Sequence, residues 1–235
     1  MYRNFLNNSL YENLQRVADV HTHQYFAGEL PPEEYQRFIG FIYDDMKQFK
    51  DQKWFQNAQK DADQRHYFHW ELEFPKIFFG EEKGFDSIIG NPPYISTSTV
   101  EGHQTIFDEK YESAEGKYDV YNLFVERSLN LKGENGLITF ILPNKFIKTD
   151  YGEYLRSQIG NKVDKIIDFR SKQIFNSATT YTCILRLSDD PEGKYKSVYS
   201  DNRLQAFRKG EDNRSSVEDY EIDFEPSKLG KEKWE

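Results

Sequence analysis

Cysteine is nearly absent from these 235 residues. Cys183 stands alone, so there is no intrachain disulfide and no cysteine-rich metal site. Positive charge is also in short supply. The 31 Lys and Arg face 40 Asp and Glu, a formal net charge of -9, which argues against holding nucleic acid by bulk charge alone. Long apolar runs are missing, so no membrane span is expected. The opening residues Met1 to Leu10 are polar and hold no signal-peptide core. A reducing, cytoplasmic setting fits this pattern. Two histidine pairs, His21 with His23 and His66 with His69, have no acidic or cysteine partners at ligand spacing, so no metal is expected.

What is present is a globular mixture, 37% hydrophobic and 30% charged, enough apolar surface for one domain and an appendage. Between Asn144 and Gln173 cations are dense: Lys145, Lys148, Arg156, Lys162, Lys165, Arg170 and Lys172 against Asp150, Glu153, Asp164 and Asp168. That stretch reads either as a local basic face or as ordinary solvated surface.

Residues 1–66 read as a polar, helical segment. Val17, Val20, Tyr25 and Phe26, then Tyr35, Phe38, Ile39 and Ile42, recur at helical spacing on either side of Pro31-Pro32. Pro32 with Glu33 and Glu34 predicts a helix start, and Lys47 to Arg65 predicts an exposed helix or a linker.

From residue 67 to about 200 the pattern changes. Phe68 to Phe74 predicts a short strand. Phe85 to Ile89 predicts another, ended by Gly90 and two prolines. Val120, Leu123, Phe124 and Leu131 form a helical stripe with Gly133 as its stop. Leu137 to Leu142, between Gly136 and Pro143, predicts a buried parallel strand. Asp150 predicts the cap of a short helix through Ile159. Strands are expected at Val163 to Phe169 and at Tyr181 to Leu187. This alternation predicts an α/β domain with a mostly parallel sheet, whose site lies at the strands' carboxyl ends. Residues 201–235 read as a charged, weakly structured tail.

One segment carries chemistry: Asn91-Pro92-Pro93-Tyr94. Asn91 and Pro92 each precede a proline and are pushed to extended backbone. The two prolines fix φ and offer no N–H. A stiff loop therefore presents the Asn91 side chain and the Pro92 carbonyl, both acceptors, to one exocyclic amino group. Tyr94 adds an aromatic face for a planar base. Such a site positions an amino nitrogen without a general base of shifted pKa. The plainer reading is a tight turn after a strand.

The run Phe85 to Ile95, with Gly90-Asn91-Pro92-Pro93-Tyr94 at its centre, resembles motif IV of the amino-group DNA methyltransferases, most closely the adenine-specific enzymes of fused restriction-modification polypeptides. Tyr118-Asp119-Val120-Tyr121-Asn122-Leu123-Phe124 is similar to motif V. Leu142-Pro143-Asn144-Lys145-Phe146 is similar to motif VI, and Tyr154-Leu155-Arg156 lies where motif VII falls. Ile174-Phe175-Asn176 with Thr179-Thr180-Tyr181-Thr182 resembles motif VIII and the strand after it. The likeness spans about residues 67–188.

It implies a partial Rossmann-like methyltransferase domain that transfers methyl from S-adenosylmethionine to N6 of an adenine flipped out of double-stranded DNA. It implies that Asn91 and Pro92 hold the amino group, with Pro93 stiffening the loop. Tyr94 and Phe175 would stack on the base. Asn91, Phe124 and Tyr121 would line the cofactor pocket. Phe124 also reads as a core aromatic, and Phe175 as a loop anchor.

The family opens with a Phe-x-Gly-x-Gly loop, and no Gly-x-Gly occurs in this chain. The expectation is a portion of a larger restriction-modification polypeptide, without the first cofactor motif or the recognition domain. Two other readings compete. One is a methyltransferase acting on protein glutamine or RNA. The other is an inactive fragment that binds DNA or a partner.

Overall fold

The computed structural model describes residues 9–28, 30–44, 46–100, 104–114, 116–175, 180–197, 220–230 and 232–234. The chain divides into two compact units, Met1–Glu81 and Glu82–Glu235.

The first unit is helical: α1 (Ser9–Ala27), α2 (Pro32–Gly40), α3 (Lys53–Arg65), α4 (Trp70–Glu73) and α5 (Pro75–Phe78). Pro32 opens α2 at a position where a missing N–H costs nothing. The polar stretch before Arg65 is a helix because Phe55, Ala58 and Ala62 recur on one face and are buried. Phe38 is the centre of this unit's core, with Val20, Leu30, Met46 and Phe55 around it. Three histidines of this unit hold its structure. His23 contacts Asp61 at 3.1 Å, His69 contacts Asp19 at 2.8 Å, and His66 closes α3 in the left-handed conformation. The strand expected at Phe68 to Phe74 does not form. Glu73 N–H donates to His69 and Phe74 N–H to Trp70, and the rings of Trp70 and Phe74 stack one helical turn apart.

The second unit is α/β. Its helices are α6 (Gln104–Lys110), α7 (Val120–Leu131) and α8 (Glu153–Ile159). Its strands are β1 (Phe85–Gly90), β2 (Lys132–Pro143), β3 (Val163–Asp168), β4 (Thr182–Leu187), β5 (Lys194–Ser197) and β6 (Tyr220–Asp223). They form one sheet in the order β1-β2-β4-β3-β5-β6. β1, β2, β3 and β5 run one way, while β4 and β6 run the other. The sheet is therefore mixed. β4 slots antiparallel between β2 and β3, a choice of direction that an apolar run does not encode.

The even residues of β2, Ile138, Phe140 and Leu142, pack with Tyr121 and Val125 of α7 and Leu155 and Ile159 of α8. Ile88 of β1 joins them, while Ile89, on the opposite face, is 79% exposed.

Three local expectations are corrected. Gly133 is not a helix stop: α7 ends where Lys132 turns extended, and Gly133 lies inside β2 beside the main chain of Lys83 and Gly84. Asp150 caps no helix: α8 follows Gly152 without a side-chain cap, and Asp150 pairs with Lys233 at 2.9 Å. The end of the chain is not a loose tail throughout. β6 pairs with β5, and Phe224, Leu229 and Trp234 pack against the main core. These few apolar anchors are diluted by charge in the sequence. Residues 201–219 lie outside the described residues. Among the described residues no helix is long and apolar enough to cross a membrane.

Candidate active site

The parallel register pairs Gly90 with Phe140 and brings β1 to an end one residue before Asn91. Gly90 is required there. A Cβ at this position would lie 2.8 Å from the buried Phe140 ring. Pro92 is buried, while Asn91 and Pro93 are exposed. Among the described residues neither the Asn91 side chain nor the Pro92 carbonyl has a hydrogen-bond partner. Among those residues, both acceptors are left open to a ligand.

Tyr94 is anchored differently. Its hydroxyl donates to the main-chain carbonyl of Ile141 in β2 at 2.9 Å. Burial, and then the neighbouring Cys183, push its phenol up to about 12. The ring is hung by its polar tip, and the hydroxyl stays protonated throughout the physiological range.

The chain after Tyr94 is stitched to the head of α7. Val120 N–H donates to the Ile95 carbonyl at 2.9 Å, and Thr97 Oγ1 donates to the Tyr118 carbonyl at 3.0 Å. Ser96 and Asp119 form an isolated antiparallel bridge. The Asn-Pro-Pro-Tyr loop and α7 therefore share one end of the sheet.

The two aromatics singled out on that helix separate. Tyr121 is buried in the core, while Phe124, one turn further on, is 46% exposed. Phe124 is thus not a core aromatic. Phe175 is half-buried in the loop that follows β3. Its neighbour Ile174 packs with Phe169, Ile167 and Ile184. Its strand end lies at the same edge of the sheet, three strand spacings or roughly 14 Å from that of β1. Asn176 and Thr179 lie outside the described residues.

Sequence reasoning missed what shapes this edge beyond β2. Asn144 Nδ2 donates to Asp168 Oδ1 at 2.8 Å and to the Arg170 carbonyl at 3.2 Å. The same Oδ1 accepts Arg170 N–H, and Oδ2 accepts the Tyr195 hydroxyl at 2.7 Å. The buried Asp168 thus joins three segments and supports Arg170 at a positive φ of 56°. An Asn just past one strand and an Asp closing the next were the available signal.

The basic stretch is also more committed than its composition suggests. Arg156 is only 2% exposed, and its Nη1 donates to the carbonyls of Phe146 and Thr149. Burial lowers its pKa, which neighbouring carboxylates partly offset.

A mixed α/β sheet carrying a stiff, acceptor-presenting loop at the carboxyl end of its outer strand defines an enzyme-like scaffold. Residues 9–175 match the family model of the Eco57I restriction-modification methylase. The chain belongs to that family of restriction-modification methyltransferases. It is 43% identical over 112 residues to the type II restriction enzyme and methyltransferase RM.Eco57I of Escherichia coli, covering 45% of this chain and 11% of that protein. It is 28% identical over 123 residues to the type II methyltransferase M.BstVI of Geobacillus stearothermophilus, covering 50% of this chain and 22% of that protein. The chain thus spans less than a quarter of either relative's length. Among solved structures it is similar to the type IIG restriction endonuclease BpuSI, with a TM-score of 0.43 and 14% identity, covering 61% of this chain and 19% of that one.

Proposed function

We propose that this chain carries the methyl-transfer site of a DNA adenine-N6 methyltransferase. The observation that carries this reading is a pair of acceptors, Asn91 Oδ1 and the Pro92 carbonyl, on one rigid loop and without a partner among the described residues. Together they hold the two hydrogens of an exocyclic amino group and favour a pyramidal nitrogen. Tyr94 seats the ring of a base that has left the duplex. Phe175, on the loop after β3, is assigned to the other side of the base.

S-adenosylmethionine supplies the electrophilic methyl group when bound. Phe124 is assigned to its adenosine end: it offers an exposed ring on a helix whose head is tied to Ile95. Asn91 borders the same space. Tyr121 faces the core, so its part is to support α7. No Gly-x-Gly occurs in the sequence, so the cradle for the methionine end is assigned to the rest of a larger restriction-modification polypeptide. The open edge of β1, with Ile89 exposed, supports that assignment.

The test is nucleoside mass spectrometry of DNA from cells making the chain within the larger restriction-modification polypeptide that supplies the methionine cradle. N6-methyladenine is expected, returning to background with Asn91→Ala. Methyl groups on cytosine N4 instead, or on glutamine in peptide mass spectrometry of the same cells, would overturn the reading. One alternative is a catalytically silent portion that binds DNA or a partner, since the sequence holds no Gly-x-Gly loop. Calorimetry separates the two: no heat with S-adenosylmethionine at about millimolar concentration supports the silent portion.

A further inference from the structure

We infer that the cleft beside the Asn-Pro-Pro-Tyr loop seats the sugar–phosphate backbone of the nucleotide next to the target base. This rests on the function proposed above and extends it to residues outside the loop. The cleft encloses about 540 Å³. Ser96 and Ser98, just past Tyr94, form one wall, and Lys117 and Asp119, just before α7, form another. Lys145 and Tyr151, beyond β2, complete it.

The charges are arranged for an anion. Lys145 Nζ is held by Asp119 at 2.6 Å, yet its side chain is 43% exposed, leaving protons for a second acceptor. Lys117 is exposed and has no ion pair or hydrogen bond among the described residues. Two cations against one carboxylate leave one positive charge in a chain whose formal charge is -9. Ser96 Oγ and Ser98 Oγ lie 3.0 Å apart and share a single hydrogen bond, so one hydroxyl proton remains to be donated. Tyr151 is half exposed, with Lys145 Nζ 5.9 Å from its ring centroid.

Cations and hydroxyls beside an open aromatic face match a phosphodiester with its adjoining base or sugar. An apolar ligand would leave these groups unpaired. The cleft begins two residues after Tyr94, where the backbone must pass if a base sits on that ring.

The test is fluorescence anisotropy of the full chain with a labelled duplex carrying one unpaired adenine, across a salt series. Lys117→Gln is expected to reduce the slope of log K against log salt by about 0.9, the loss of one phosphate contact. Lys117→Arg should keep the slope. Tyr151→Ala should weaken binding by about fivefold or more at every salt concentration without changing the slope, and Tyr151→Phe should not. Binding by the unaltered chain with an undiminished slope in Lys117→Gln overturns this inference alone. No binding by the unaltered chain overturns it together with the DNA reading. Loss of S-adenosylmethionine heat in Lys117→Gln, with DNA binding intact, would assign the cleft to the cofactor and likewise overturn it.

Discussion

The Tyr94 hydroxyl and the Ile141 carbonyl, 2.9 Å apart, tie the Asn-Pro-Pro-Tyr loop to the neighbouring strand. Prolines stiffen the loop from within, and this bond fixes where its aromatic ring hangs. Removing the hydroxyl with Tyr94→Phe should cost about 1 kcal/mol in urea denaturation and leave the ring in place. The cost should depend on pH. The folded phenol is pushed up to about 12 from an ordinary 10.0. A pKa raised by folding stabilises fully below the unfolded value and fades as pH climbs towards the folded one. The gap between parent and variant should therefore be full at neutral pH and shrink between about 10 and 12. A gap that widened with alkali would contradict the assignment.

Gly90→Ala should displace the loop itself. The new Cβ would meet the Phe140 ring at 2.8 Å, and that ring is buried. A loss of about 1 to 3 kcal/mol is expected from overpacking. Phe140→Leu should be partly compensating in the Gly90→Ala background, so a double-mutant cycle should show favourable coupling. Strict additivity would mean the strand yields elsewhere.

Asp168→Ala should loosen the far side of the site. It strands donors from Asn144, Arg170 and Tyr195. A cost of about 2 to 4 kcal/mol is expected, against about 1 for Tyr195→Phe. Hydrogen exchange should show faster opening at residues 169–175, the segment that carries Phe175. Unchanged exchange there would show that Asp168 does not hold the loop.

Arg156→Leu should destabilise by about 2 to 4 kcal/mol, because the carbonyls of Phe146 and Thr149 lose their shared donor. Arg156→Lys should not restore the parent midpoint, since an ammonium lacks the planar fork. Full rescue by lysine would show that any buried cationic donor satisfies the two carbonyls.

Much of the site is written in adjacent residues. Gly90 through Tyr94 announce a stiff turn after a strand, and among the described residues both acceptors of that turn have no partner. The helix from Val120 and the strand through Leu142 follow from periodicity and from an apolar run. Phe68 to Phe74 misled because aromatics favour strands, whereas rings at positions 70 and 74 also meet on one face of a helix. The end of the chain misled because three anchors, Phe224, Leu229 and Trp234, are scattered among charges.

The sequence by itself determined the chemistry offered: two acceptors, an aromatic ring and a backbone unable to rearrange, all set by local sterics. Tertiary structure decided what those groups face. The direction of β4, the burial of Tyr121 beside an exposed Phe124, and the junction at Asp168 depend on strand pairing and side-chain contact between distant segments. Local conformational preference carries no information about which segments will meet, and packing against the rest of the chain supplies it.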